Sequence, residues 1–272
     1  MSVTEPDPEP LPLDTSVAHP ARIYDYWLGG KDNFAADRAA GDHVTSLRPE
    51  IIPGVRANRR FLGRAIRYLA AKEGIRQFLD IGTGLPSANN THEVAQAAAP
   101  DSRIVYVDSD PIVLAHARAL LTSSPAGETA YVGADLRDAP AILAQASQTL
   151  DLGQPVALMF LMTLQYIPDA DDPHAIVREY LDGLVPGSFL VVSDTTNEVC
   201  DPVITEGTRR MNEGMGGRVT QTRRTSAQVG RFFEGLDMVE PGLTSTHRWR
   251  PGPGESDTEN DWPVRSGVAR KP

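Results

Sequence analysis

The chain has 272 residues, 40% hydrophobic and 23% charged, with a formal net charge of −10. That supports one packed domain with additions at its ends, excludes global disorder, and speaks against a general nucleic-acid binder. A single cysteine, Cys200, rules out an internal disulfide, and the longest apolar stretch, Val156 to Leu164, is too short to span a bilayer.

A soluble cytoplasmic protein without a secretory signal or membrane partner is therefore expected. In residues 1–18 prolines alternate with acids (Glu5, Pro6, Asp7, Pro8, Glu9, Pro10), which predicts a disordered tail. Pro20 suits the first turn of a helix over Ala21 to Leu28, and Gly29-Gly30 would stop it. Asp32 is placed to cap a second helix to about Ser46. From Gly54 to Glu73, Val55, Leu62, Ala65, Ile66, Leu69 and Ala70 recur at helical spacing. The arginines of that helix (Arg56, Arg60, Arg64, Arg67) read as a solvated face. Residues 19–74 thus form an expected N-terminal helical cap. As a lid jointed at Gly29-Gly30, it would present Tyr26, Lys31, Asn33 and Phe34 to a substrate.

After residue 75 the pattern changes. Short apolar runs (Phe78–Ile81, Ile104–Val107, Ala130–Val132, Val156–Leu164, Phe189–Val192) alternate with helical stretches near 90–99, 111–121, 139–149 and 174–184. Strands apolar on both faces and separated by helices predict a Rossmann-like, doubly wound, mostly parallel sheet over residues 75–272. Ligands of such sheets bind beyond the carboxyl ends of the strands.

The first such end gives Asp80-Ile81-Gly82-Thr83-Gly84-Leu85-Pro86, a glycine turn that lets a ligand approach the backbone. The second gives Asp108-Ser109-Asp110-Pro111, an acid placed for ribose hydroxyls. The third gives Asp135-Leu136, a carboxylate for an adenine amine and a leucine for the ring. Each acid could instead cap the helix that follows. A nicotinamide fingerprint needs a third glycine where Ser87 stands. Asp80 would repel a pyrophosphate but suits a cationic amine. S-adenosylmethionine has that amine, a ribose and an adenine, and no phosphate.

These segments resemble the class I methyltransferases, and within them a bacterial S-adenosyl methyltransferase family first catalogued as a domain of unknown function. The resemblance rests on Pro20-Ala21-Arg22-Ile23-Tyr24-Asp25-Tyr26-Trp27-Leu28-Gly29-Gly30-Lys31-Asp32-Asn33-Phe34, on Asn58 to Leu62, Asp80 to Pro86 and His92 to Gln96. Tyr106 to Pro111, Ala134 to Asp138 and Gly267 to Pro272 complete it. It implies a seven-stranded sheet whose last strand inserts antiparallel between the fifth and sixth. It also implies S-adenosylmethionine as cofactor and S-adenosylhomocysteine as product. Gly82 and Gly84 would line the methionine moiety with Thr83 between them, while Asp80 orients the loop. Asp108 and Ser109 would hold the ribose, and Asp135 with Leu136 the adenine. Two departures stand out: the polar turn Ser87-Ala88-Asn89-Asn90, and Gln165 where the resemblance leads one to expect a histidine nearby.

Methyl transfer from a sulfonium depends mainly on alignment in a water-poor pocket, so no dedicated acid is required. If the acceptor must lose a proton, His92, Tyr166 and Asp194 are candidate bases, and Tyr166 is also a candidate wall of the acceptor pocket. The catalytic residues and oligomeric state stay open. Arg209, Arg210, Arg218, Arg223, Arg224 and Arg231 lie in a glycine-interrupted stretch read as a mobile, solvated loop. The six histidines are scattered and Asp169, Asp171 and Asp172 read as a capping loop, so no metal is expected. The acceptor is expected to be a small molecule. Two rivals remain: a non-catalytic protein that binds the cofactor as a regulatory ligand, and a nicotinamide-dependent oxidoreductase.

Overall fold

The computed structural model describes residues 14–87, 89–120, 123–198, 202–214, 220–255 and 262–272. Most of the acidic tail, Cys200 and Arg218 lie outside the described residues. Three helices come first: α1 (Pro20–Leu28), α2 (Ala35–Leu47) and α3 (Ile51–Ala71). Strand and helix then alternate through β1 (Gln77–Ile81), α4 (Thr91–Ala98), β2 (Arg103–Asp108), α5 (Pro111–Leu120), β3 (Glu128–Gly133) and α6 (Ala139–Ala146). They continue with β4 (Ala157–Leu161), α7 (Pro173–Asp182), β5 (Phe189–Thr195), α8 (Pro202–Gly214) and α9 (Ser226–Gly230). Three strands close the chain: β6 (Asp237–Met238), β7 (Thr244–Ser245) and β8 (Val264–Arg270).

The strand order is β3-β2-β1-β4-β5-β8-β6, with β7 also paired to β8. β1 to β5 are parallel, and β8 runs antiparallel between β5 and the short edge strands. The last strand thus inserts where the resemblance implied. The count differs, because the outer edge is two pairs of residues instead of one strand. Pro241 and Gly242 stand between those pairs, and a proline has no N–H to continue the ladder.

β1 and β5 are buried along their whole length, as continuous apolar runs in a parallel sheet require. One face carries Leu79, Val105, Leu158 and Val192 against Ile142 of α6 and Val177 and Tyr180 of α7. The other carries Phe78, Ile104, Met159 and Val191 against Phe61, Ala65, Ile66 and Leu69 of α3 and Val94 of α4. α3 therefore belongs to the layer that covers the sheet. α1 and α2 pack beyond it through Ile23, Trp27 and Val44.

Two expected features of the helices change. Arg64 is buried, donating from Nε to Trp249 O (2.8 Å), from Nη2 to Thr246 O (2.8 Å) and from Nη1 to Glu255 (2.9 Å), while Arg56, Arg60 and Arg67 are exposed. Arg64 clasps the loop before β8 onto α3. The second helix starts three residues after Asp32, whose N–H donates to Asp25 Oδ2 at 3.0 Å. Asp37 serves the helix start instead, accepting the Phe34 N–H at 2.8 Å.

Candidate functional site

The strand order reverses between β1 and β4, and their carboxyl ends frame a crevice. After β1 the chain turns at Gly82 and Gly84, both left-handed (φ +69° and +66°). The turn is pinned to the end of β2, where Val107 O accepts from the Gly82 N–H at 2.8 Å. A Cβ on Gly82 would lie 2.3 Å from Thr163 Cγ2, so this position has room for glycine alone. Thr163, just after β4, donates to Ile81 O at 3.1 Å and joins the two strand ends.

A cavity of about 520 Å³ opens over this reversal. Asp80, Gly82, Thr83, Gly84, Asp108, Ser109, Asp135, Leu136 and Tyr166 all line it, as do His19, Ala21, Tyr24 and Leu28 of the first helical segment. The sequence-predicted cofactor residues are therefore neighbours in space. Neither Asp108 nor Asp135 is the helix cap that each might have been. Asp110 accepts from the Ile112 N–H (2.9 Å) at the start of α5, and Asp138 from the Ala141 N–H (3.2 Å) at the start of α6.

The three carboxylates differ in setting. Asp80 is buried, with Oδ2 accepting from Thr91 Oγ1 at 2.6 Å. Burial pushes its pKa up to about 6 against the nearby charge of Arg59. Asp108 is half-buried and accepts the Gly84 N–H at Oδ2 and the Asp110 N–H at Oδ1, both at 2.9 Å. Burial raises its pKa as well. Asp135 is exposed at the mouth and paired with Arg137 at 2.8 Å.

Four expected substrate residues are placed elsewhere. Tyr26, Lys31, Asn33 and Phe34 do not line the cavity. Ala21, Tyr24 and Leu28 share the inward stripe of α1, and Tyr26, about 200° round the helix from Tyr24, donates to Asp42 at 2.6 Å instead. Asn33 donates to Asp25 at 2.9 Å, Phe34 lies beside Arg22 (5.4 Å), and Lys31 is exposed.

These strand ends invite comparison with known proteins. The profile of a family described as S-adenosyl methyltransferase matches residues 6–272. The chain belongs to that family. The structure is similar to that of a DUF574 family protein from Streptomyces avermitilis MA-4680, with TM-score 0.91 and 44% identity over 95% of this chain and 99% of that one. It is also similar to a protein from Thermobifida fusca YX classed by inference as a methyltransferase, with TM-score 0.85 and 39% identity over 95% and 96% of the two chains. The plantazolicin methyltransferase BpumL, solved with a triazolic desmethylPZN analog and SAH, shares the fold at 9% identity (TM-score 0.51, 93% and 96% covered). No curated protein matches the chain in sequence.

Two of the candidate bases lie outside the cavity. His92 is buried outside the cavity, and its N–H donates to the Tyr106 hydroxyl (2.8 Å), which lies 2.9 Å from its Nδ1. Asp194 is fully buried outside the cavity and paired with Arg224 at 3.2 Å. Arg224 is no loop-surface arginine: it too is fully buried, and it also donates to Leu164 O (2.9 Å), Ile167 O (2.6 Å) and Asp169 (3.0 Å). It fixes the turn that carries Thr163, Gln165 and Tyr166 into the cavity wall. Arg209 and Arg210 do stay on the surface, paired with Glu206. Of the three acids before α7, Asp172 accepts the Ala175 N–H at 3.1 Å as its cap.

The sequence did not single out Tyr24, Asn58 and Arg59 as site residues. Asn58 Nδ2 donates to the Tyr24 hydroxyl (2.9 Å), and its Oδ1 accepts from Ser193 Oγ (2.7 Å). This chain ties α1 and α3 to β5 at the cavity wall. In the sequence Asn58 stands out as a polar residue on the apolar stripe of α3.

Proposed function

We propose that the protein transfers a methyl group from S-adenosylmethionine to a small-molecule acceptor, releasing S-adenosylhomocysteine. What carries this reading is the meeting of Asp80, the Gly82-Gly84 turn, Asp108 and Asp135 at one cavity over the strand reversal. The donor set fits the cofactor. A buried carboxylate beside the glycine turn matches an ammonium and opposes a pyrophosphate. Asp80 and the glycine turn would hold the methionine end, Asp108 and Ser109 the ribose, and Asp135 with Leu136 the adenine.

The bound cofactor supplies a methyl group on a positively charged sulfur. The protein's part is to align the acceptor and exclude water. We assign α1 that covering role, through Ala21, Tyr24 and Leu28. Tyr24, Asn58, Gln165 and Tyr166 then form the acceptor wall. Burial raises the pKa of both tyrosines, so they stay neutral; the Tyr24 hydroxyl already donates to Val55 O at 3.3 Å, which leaves Tyr166 as the hydrogen-bond donor of this wall. Such a wall favours an acceptor that brings its own lone pair at neutral pH. One cysteine in the chain fits work in the reducing cytoplasm. Among the described residues no helix is long and apolar enough to cross a membrane.

Isothermal titration with S-adenosylmethionine tests this reading. The parent should bind, and Asp108→Ala should bind at least about tenfold more weakly, since a charged hydrogen bond contributes ~1.5–3 kcal/mol. Equal affinities would sink it.

A further inference from the structure

Tyr24, Met162, Gln165 and Tyr166 line the cavity and also a second, smaller chamber of about 40 Å³. That is room for about three atoms the size of a water molecule. Ile23, Trp27, Val44, Ile51 and Val55 make its far side apolar. Arg48 and Arg223 line it too, and among the described residues no aspartate, glutamate or histidine does. The larger cavity has the opposite balance, with Asp25, Asp80, Asp108 and Asp135 against Arg59 and Arg137. Met162 stands on the shared wall in the left-handed backbone region (φ +59°), which is strained for a residue with a side chain. Its N–H donates to Ser193 O at 2.9 Å and its O accepts from Gln165 Nε2 at 3.0 Å, which holds it there. The positive charge of Arg223 also reaches this wall. Burial raises the Tyr166 pKa, and Arg223 opposes that rise more strongly than Asp194 adds to it. Arg223 Nη1 already donates to Thr196 O at 3.4 Å, so its charge, and not a free donor, is what a ligand meets.

We infer, on the methyl-donor reading above, that the acceptor is a small carboxylic acid with a short branched aliphatic chain, and that the product is its methyl ester. The chain enters the chamber, whose apolar side suits an isopropyl-sized group. The carboxylate stays at the wall and accepts from the Tyr166 hydroxyl. A carboxylate is ionised at neutral pH and needs no base, and the chamber's lining supplies none. The arginines favour an anion on this side, while the acids of the larger cavity favour a sulfonium on the other. One carboxylate oxygen forms the O–CH3 bond as the S–CH3 bond breaks, and the sulfur keeps that electron pair. Cation and anion become two neutral groups, and no proton moves. An alcohol or a protonated amine would first have to lose a proton, and this wall of neutral tyrosines and amides has no group to take it.

The test gives the parent, Gly207→Leu and Arg223→Gln three probes of one shape: isovalerate, isovaleramide and isoamyl alcohol. Gly207 of α8 lines the chamber, and a Cβ there meets nothing closer than Leu47 Cδ1 at 4.0 Å, so a leucine fills the space without a clash. Methyl-labelled S-adenosylmethionine reports transfer, and label that alkali releases as methanol marks an ester. Ligand-observed NMR with the protein saturated in S-adenosylhomocysteine reads probe binding without turnover. The parent should bind and methylate isovalerate at least about tenfold better than the amide or the alcohol. Gly207→Leu should lower kcat/KM for isovalerate at least about tenfold by occupying the chamber. Arg223→Gln should raise its KM at least about fivefold, and both variants should keep the parent's affinity for S-adenosylmethionine. Circular dichroism checks folding, and Gly207→Leu carries the test if Arg223→Gln does not fold. A parent that binds S-adenosylmethionine but treats the three probes alike, or a Gly207→Leu that methylates isovalerate as the parent does, overturns the acceptor assignment and leaves the cofactor reading intact. A parent that does not bind S-adenosylmethionine overturns both.

Discussion

Arg224→Ala is expected to destabilise the protein by about 3–5 kcal/mol, the cost of breaking a buried ion pair by removing one partner. Arg224 and Asp194 are both fully buried, 3.2 Å apart. Burial pushes the Asp194 pKa up to about 7 even with the Arg224 charge opposing it. Without Arg224, ionised Asp194 would face Thr195 N–H as its remaining close donor (2.8 Å). Leu164 O and Ile167 O would lose their donor as well. The loss depends on pH with a definite sign. A carboxyl whose folded pKa lies above the ordinary 3.8 contributes stability at low pH that disappears as pH rises through the folded value. The variant's deficit should therefore be larger at pH 8 than at pH 5, where the acid takes up a proton. Urea unfolding at both values measures this, and Arg224→Ala with Asp194→Asn should recover part of the loss. A deficit below about 1 kcal/mol at pH 8 would mean that the pair does not hold the turn.

Asp80→Asn should do two opposite things. Its folded pKa is about 6 against an ordinary 3.8, raised by burial. An ionised Asp80 thus costs the free protein on the order of 1–3 kcal/mol, from roughly two units at 1.36 kcal/mol each. That cost is absent below about pH 4 and complete above about pH 6. Asparagine keeps an oxygen for Thr91 and carries no charge. The variant should unfold at a higher temperature than the parent at pH 8 and at the same temperature near pH 4. Its affinity for S-adenosylmethionine should fall at least about tenfold at pH 8, since the ammonium loses its anion. In the parent, affinity should fall as pH drops below about 6 and Asp80 takes up a proton. A variant both destabilised and unchanged in affinity would show that Asp80 serves the fold alone.

The strand-end residues were legible because they depend on local rules. An apolar run fixes where a strand ends, and a glycine pair fixes a turn. Parallel topology then brings Asp80, Asp108 and Asp135 to one edge of the sheet. Tyr24 was not legible, because α1 presents aromatic residues on several sides. Tyr24 faces the cavity, Tyr26 reaches Asp42, and Trp27 packs with Ile23 and Val44. Only the placement of α2 and α3 decides which side meets the cavity. Arg64 and Arg224 read as surface residues because a guanidinium is rarely buried. Each is held by carbonyls distant in sequence, which no local pattern reveals. The split outer edge was missed because strands of two residues have no period to detect.

We propose that the rim built from Asp80, Gly82, Gly84, Asp108 and Asp135 grips an adenosyl amino acid. A crystal structure of the complex with S-adenosylhomocysteine tests it most directly. The amino group is expected at Asp80, the ribose hydroxyls at Asp108 and the adenine against Leu136. A product bound outside the cavity, or reversed with its adenine at Asp80, would contradict it.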